Sequence, residues 1–553
     1  MNLRIFFLST LILFFLSCTS EKPEEKKIVT KDPKEIDVAV LSDLKQRLNN
    51  PENDSTLIVA KDTLQAFLNF KKFLLDCNAP LWTSAGKLNP LGDSLKKHII
   101  NARHFALNPE DYHASAIDSL SAVFSDTAAG SVNISALSAA ELLLTDGFFK
   151  MAVHIHRGRF YPDSLLLLWK AKEMPSNWES LLKEGINKKQ LHQVLSSFEP
   201  RKAGYQQLIR GFREFLYDEK AINFDSVAIS ECGDSLALLK EKISARLKIT
   251  GEYDTASAKS DSVKLVNALK RFQKNWNMEP DGKIGKLTRQ AFQYNREKVL
   301  RQMEMAIERW KWEPDSMPVK YFWINIPSFQ LTVMEEDTIV MESNIVCGKP
   351  ETQTPLLSSK LNFMTIYPYW NVPYSIASKE ILPAVQRDTA YLRKKNMEVI
   401  NSKNEVLDPS KIKWKRYNAK NLPYKFRQRI GEDNSLGVVK FNFNNKHGVY
   451  LHDTNSKRYF KTAARAQSHG CIRVEKYLQV ARFLLRKDTL KIPYDTLDVY
   501  LQTPLQRKIN LKEKIPIYTK YFTATTDSLG NLRLYLDIYR KDEAMAKMIY
   551  RKK

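Results

Sequence analysis

The hydrophobic period of this chain changes once, near residue 320, and that change limits what it can fold into. Before it, apolar residues recur at helical spacing, as in Leu64, Phe67, Leu68 and Leu75, or Leu142, Leu143, Phe148, Phe149 and Ala152. After it the period drops to two, with Tyr321 to Ile326, Phe329 to Met334 and Thr338 to Val346 reading as strands. A chain of 553 residues with both patterns is a multi-domain protein, α-helical first and β-rich after.

The helical part subdivides. Pro80, Pro90, Pro109, Pro162, Pro175 and Pro200 punctuate a scaffold domain over residues 37–233. A smaller unit of three helical segments covers 234–296, with a tight turn at Asp281-Gly282-Lys283-Ile284-Gly285. A connecting helix lies in 297–319, the β-rich domain in 320–503, and a C-terminal extension without an assigned role in 504–553. His154, His156 and Arg157 invite a metal reading. Histidines two apart do not share a helix face, and no Cys or carboxylate cluster completes a site, so a structural or surface role is expected.

The formal net charge of +24 favours anionic partners. The basic residues are dispersed, and the densest stretch, Lys411, Lys413, Lys415 and Arg416 around Trp414, reads as a solvated loop. No zinc-finger spacing, Walker loop or RNA-binding signature is present, so nucleic acid is not expected as a partner. The N-terminus directs the charge elsewhere. Arg4 followed by the apolar stretch Ile5 to Leu16 is too short to span a bilayer and reads as a secretory signal over 1–17. The sequence Phe15-Leu16-Ser17-Cys18 resembles a bacterial lipobox, which implies lipid attachment at Cys18. The Glu-, Lys- and Pro-rich stretch that follows completes a tether over 18–36. The expected location is the cell envelope, periplasmic and lipid-anchored to a membrane. Cys77, Cys232 and Cys347 are isolated, and spacing alone leaves them as buried thiols or one pair.

The chemistry concentrates in the β-rich domain, where Tyr450-Leu451-His452-Asp453 ends a strand and Ser468-His469-Gly470-Cys471-Ile472-Arg473 follows. Val474, Leu478, Ala481 and Leu485 form a helical stripe, which predicts that Cys471 lies near a helix N-terminus, where a thiolate is favoured. Gly470 permits the close approach that an oxyanion hole needs. A cysteine and a histidine within hydrogen-bond reach can form a thiolate–imidazolium pair. His469 is two residues from Cys471 and points differently, so His452, on a separate element, is favoured as the base. Ser-His-Gly-Cys flanked by polar residues is a poor core segment, and no second Cys lies nearby to make a zinc site.

His452, Ser468, His469, Gly470, Cys471 and Arg473 together resemble the motif of the YkuD-type L,D-transpeptidases. Gly348-Lys349 with Thr354-Pro355, Pro368 to Pro373, and Leu436-Gly437 with Lys440-Phe441 resemble the larger members, which carry a helical scaffold and a peptidoglycan-binding module. Ala268 to Gln273, the turn at Asp281 to Gly285, and Thr288 resemble that three-helix module. One departure is Cys347, where an aliphatic residue is expected.

The resemblance implies 3→3 cross-linking of peptidoglycan stems by a Cys471 thioester formed from a tetrapeptide donor, with no metal or organic cofactor. His452 is then the base, and the Cys471 N–H, with or without that of Gly470, the oxyanion donor. Ser468, His469 and Arg473 contact substrate or hold the loop. Water as acceptor would give an L,D-carboxypeptidase, and an existing 3→3 cross-link an endopeptidase. The alternative of another class is a non-catalytic peptidoglycan-binding scaffold. The segment from Glu380 to Asn434 is long for a connection and is expected to cover the substrate groove.

Overall fold

The computed structural model describes residues 27–30, 32–51, 56–126, 131–160, 172–217, 224, 235–486 and 496–550. The signal segment, Cys18, most of the tether and Cys232 lie outside the described residues. The chain divides into two compact units. One is built from described residues within 1–103, 107–152 and 176–197, the other from the remainder.

The first unit is helical and centres on α1 (Ile134–Arg157) up to Ala152. A helix apolar on nearly every side must be surrounded, and Leu142, Leu143, Phe148, Phe149 and Ala152 are fully buried. Aromatic edges pack around it, Trp82 on Phe148 and Phe70 on Phe149. Glu141 and Asp146 of α1 are also fully buried, and each has partners. Glu141 accepts from the backbone N–H groups of Leu81, Trp82 and Thr83 at 2.9, 2.8 and 2.7 Å. The Thr83 hydroxyl adds a fourth bond at 2.8 Å. Asp146 accepts from the Ala66 N–H at 2.7 Å, and His113 bridges Asp62 and Asp146 at 2.7 and 2.8 Å.

The second unit takes in part of the expected scaffold region, residues 104–106, 153–175 and from 198 onward. Helices α2 (Ala203–Tyr217), α3 (Leu236–Ile249), α4 (Asp261–Asn275), α5 (Lys286–Phe292) and α6 (Arg296–Lys311) share one apolar cluster. The three helices expected in 234–296 are present as α3 to α5. Phe272 and Phe292 stack at 4.2 Å, and Gln273 clamps the turn by bonding Asp281, Gly282 and Lys283. Their core is continuous with that of α2 and α6, and with Phe522 and Leu534 near the C-terminus.

Ten strands form the main sheet of this unit: β1 (Lys320–Asn325), β2 (Gln330–Glu335), β3 (Thr338–Gly348), β4 (Leu357–Ile366), β5 (Val439–Phe443), β6 (Leu451–His452), β7 (Ala466–Ser468), β8 (Ile472–Val474), β9 (Arg507–Asn510) and β10 (Pro516–Lys520). The order runs β5-β6-β8-β3-β2-β1-β10-β4, and β4 pairs back onto β5, so the sheet closes on itself. Closure leaves few free edges. Strand β9 pairs with β4 and β7 with β3. The inward set includes Phe322, Ile324, Leu331, Val333, Ile345, Leu361, Met364, Val439, Phe441, Leu451, Ile472 and Val474. The expected end of the β-rich domain at 503 is too early for this sheet, because β9 and β10 belong to it. Local pattern hides this, since β10 pairs in parallel with β1, about two hundred residues upstream.

The segment expected to be a long covering connection is a folded insertion. Residues 370–371, 397–400, 406–407 and 425–428 make a separate four-stranded sheet. Its own apolar cluster contains Ile381, Leu392, Val399, Trp414 and Phe426. Among the described residues no helix is long and apolar enough to cross a membrane.

Candidate active site

Strands β5, β6 and β8 lie side by side, and their registers set the site. Lys440 is opposite His452, and His452 is opposite Arg473. One pleat further along the same registers lie Asn442, Tyr450 and Cys471. Side chains two apart share a face. The sheet therefore presents two adjacent rows, Lys440–His452–Arg473 and Asn442–Tyr450–Cys471, opposite the buried Phe441, Leu451 and Ile472. Six residues from three distant stretches meet through register alone.

Cys471 is not at a helix N-terminus. It precedes β8, and helix α7 (Tyr477–Leu485) starts six residues later. Ile472 and Val474 are β-branched and buried at a period of two, and Ile472 N–H donates to the Tyr450 carbonyl at 3.1 Å. The helical stripe expected from Val474 therefore begins one turn late. The helix dipole does not act on the thiol. Burial raises the Cys471 pKa, opposed by the Tyr450 backbone N–H, its hydroxyl, and the charges of Lys440 and Arg473. Register sets Tyr450 beside Cys471 on this face, and its hydroxyl is one of the groups that favour the thiolate. Lys440 Nζ stands 3.8 Å from the centre of the Tyr450 ring.

His452 is buried. Its Nδ1 donates to the Asp453 carbonyl, which fixes the tautomer and leaves the Nε2 lone pair as the basic site. Burial, then the Arg473 charge, pushes its pKa down to about 3. Among the described hydrogen bonds none joins the imidazole to the thiol. The resting pair is therefore a neutral thiol beside a neutral imidazole, not the thiolate–imidazolium pair expected above.

The loop before Cys471 is held tightly. Ser468 Oγ donates to the Cys471 carbonyl at 2.5 Å and accepts the Gly470 N–H at 3.1 Å. The Gly470 N–H is thus engaged, which leaves the Cys471 N–H as the better oxyanion donor. Gly470 has φ +115°, a region closed to other residues. Its carbonyl accepts from Thr354 Oγ1 at 2.8 Å, and Thr354 Oγ1 accepts the Gly348 N–H at 2.9 Å. A Cβ on Gly348 would lie 2.0 Å from the Thr352 carbonyl, which accounts for the Gly348…Thr354 pattern.

From the C-terminal segment, the Tyr539 hydroxyl donates to the Gly348 carbonyl at 2.6 Å and accepts the Thr354 N–H at 3.2 Å. Cys347 is fully buried, its pKa pushed up to about 12 by desolvation, so it is not a second nucleophile.

His469 points away from the thiol and bonds Glu380 of the insertion at 2.7 Å. Arg473 lies over the Tyr459 ring at 5.5 Å, with Nε and Nη1 buried and without hydrogen-bond partners in the structure. Elsewhere His156 meets the carbonyls of Phe198 and Glu173, a structural role as expected. Sequence reading missed Tyr450 as a partner of the thiol. Its signal was present, since a residue two before His452 on a strand shares its face. Nothing local marks Tyr539.

Residues 319–492 match the YkuD family, described as the L,D-transpeptidase catalytic domain, and residues 75–211 match a Scaffold domain. The chain therefore carries a YkuD-family L,D-transpeptidase catalytic domain behind a Scaffold domain. A Haemophilus influenzae protein provisionally named an L,D-transpeptidase is 32% identical over 224 residues, 40% of this chain and 44% of that one. This chain thus spans less than half the length of that curated relative. An L,D-transpeptidase structure from Stackebrandtia nassauensis shares 16% identity over 51% of this chain and 90% of its own, with a TM-score of 0.19. The structure of an Ldtfm–avibactam carbamoyl enzyme shares 11% identity over 41% and 65%, with a TM-score of 0.16. Both superpositions are too loose to bear on the fold.

Proposed function

We propose that this protein is an L,D-transpeptidase that forms 3→3 peptidoglycan cross-links through a Cys471 thioester. The observation that carries the reading is the thiol of Cys471, registered beside Tyr450 and one row from a neutral His452 whose Nδ1 is engaged by the Asp453 carbonyl. Cys471 Sγ attacks the carbonyl between the third stem residue and the terminal D-Ala. Its proton passes to His452 Nε2 during the attack, because a base of low pKa serves only when the proton moves in the same step. The tetrahedral oxyanion accepts from the Cys471 N–H. The C–N bond then breaks, His452 protonates the departing amine, and a thioester remains. The side-chain amine of a second stem attacks that thioester. His452 takes the amine proton and returns it to the leaving sulfur, so the enzyme is regenerated without a cofactor.

The remaining parts suit work at the cell wall. The helices of 234–296 are read as a peptidoglycan-binding module on the resemblance of Ala268 to Thr288. The signal and Cys18 lipid hold the protein at the envelope, where its +24 charge meets anionic polymer and membrane surface. Mass spectrometry of products from purified disaccharide-tetrapeptide tests the reading. Cross-linked dimers with release of D-Ala are expected, and Cys471→Ala abolishes both. Tripeptide alone would replace transfer by hydrolysis, and unchanged cross-linking in cells carrying Cys471→Ala would end the enzymatic reading.

A further inference from the structure

Strand β5 turns Val439, Phe441 and Phe443 into the core, and the alternate residues Lys440, Asn442 and Asn444 line an open groove of about 750 Å³. Phe443, Asn445, Lys446, Gly448, Val449 and Tyr450 complete that wall, and no Asp or Glu lines it. Register sets Tyr450 beside Cys471, so this wall of the groove adjoins the proposed nucleophile.

Two donors on this strand have no anionic or carbonyl acceptor among the described contacts. Lys440 is largely desolvated, which lowers its pKa, and none of the described ion pairs includes it. Asn442 Nδ2 is buried with no hydrogen-bond partner in the structure. A folded protein rarely leaves a buried amide without an acceptor, and among the described contacts the Lys440 ammonium meets the Tyr450 ring rather than an anion. Both stand on one face, two residues apart, and an anion with two acceptor oxygens satisfies both together.

We propose that this groove is a carboxylate-reading subsite, with Lys440 and Asn442 holding a free carboxylate of the donor stem. The proposal rests on the L,D-transpeptidase reading for the identity of the donor. The terminal D-Ala carboxylate is the better of two sources. It lies three bonds beyond the attacked carbonyl carbon, about 3–4 Å from it. Lys440 sits beside Tyr450, which register sets next to the attacking sulfur. The second source is a carboxylate on the third residue. In either case Lys440 selects donors by charge, and on departure the D-Ala leaves as a carboxylate held by the enzyme.

The test uses full-length protein and three synthetic tetrapeptides: free acid, C-terminal amide, and amide at the third-residue carboxyl. Binding is measured calorimetrically in Cys471→Ala, with and without Lys440→Met, and D-Ala release is measured in the active chain. Lys440→Met should weaken binding of the free acid and raise KM about tenfold or more, the size expected for one charged hydrogen bond. Lys440→Arg should recover most of the loss. The C-terminal amide should bind weakly to both forms and respond little to Lys440→Met. If only the third-residue amide loses its response, the groove reads that carboxylate instead.

Equal effects of Lys440→Met on all three peptides overturn the subsite. So does unchanged binding with a shifted pH profile of Cys471 alkylation, which would make Lys440 a partner of the thiol alone. Failure of the wider reading is separate: the unmodified chain would then release no D-Ala, whatever Lys440 does to binding.

Discussion

Tyr450→Phe should slow alkylation of Cys471 several-fold at pH 8 while leaving the fold intact. The hydroxyl that is lost belongs to the residue registered beside Cys471 and is among the few groups that favour the thiolate. A hydrogen bond to a charged group contributes about 1.5–3 kcal/mol. At about 1.36 kcal/mol per pKa unit, its loss moves the thiol up by roughly one to two units. Below its pKa the thiolate fraction then falls about 10- to 100-fold. A more basic thiolate is a better nucleophile, with a Brønsted slope near 0.4–0.5, which returns about half of that loss on a logarithmic scale. The net expectation is a rate roughly three- to tenfold lower. The assay is the pseudo-first-order rate of iodoacetamide labelling, followed by intact mass from pH 6 to 10.5. In the unmodified protein the rate should climb steadily through pH 9, because burial raises the thiol and His452, held down to about 3, is uncharged. A plateau reached by pH 7 would reveal a thiolate–imidazolium pair and refute this account. So would a Tyr450→Phe chain that labels as fast as the parent.

Three further outcomes follow from the geometry. Gly470→Ala finds space, with its nearest neighbours 3.7 Å away, but not an allowed φ. It should lower kcat/KM more than tenfold while costing about 1–3 kcal/mol of stability, read by activity and thermal melting together. Tyr539→Phe should reduce kcat several-fold with little change in KM, because it releases the Gly348–Thr354 loop that holds the Gly470 carbonyl; a parallel fall in binding measured in Cys471→Ala would argue against a positioning role. Glu141→Ala strands three backbone N–H groups and a hydroxyl, and should cost roughly 2–4 kcal/mol in urea unfolding. Burial lifts Glu141 to about 7, so the folded state holds its proton more tightly than the unfolded one. That contribution is complete below about pH 4.3 and lost as pH rises to about 7, a decline of about 3 kcal/mol that Glu141→Ala should abolish.

The change of period near residue 320 was enough to separate helical from β-rich chain, because burial on one face imposes spacing locally. The Ser-His-Gly-Cys motif was enough to single out Cys471 as the proposed nucleophile, because a glycine at φ +115° next to a cysteine is a local demand. Other features were not local. Ile472 and Val474 fit both a strand and the start of a helical stripe, and pairing with β3 and β6 decided for the strand. That choice removed the helix dipole from Cys471 and gave the thiol a tyrosine instead. Strands β9 and β10 could not be assigned to the sheet from their own residues, since β10 finds its partner in β1, across the whole domain.

The sequence alone therefore determined the two fold classes and singled out Cys471 and His452 as the proposed nucleophile and base, since spacing and residue type carry those. The tertiary structure decided the protonation state of that pair and its neighbours Lys440, Tyr450 and Arg473. Register brings distant strands into adjacent rows, and burial shifts a pKa only once the surrounding chain has closed over it.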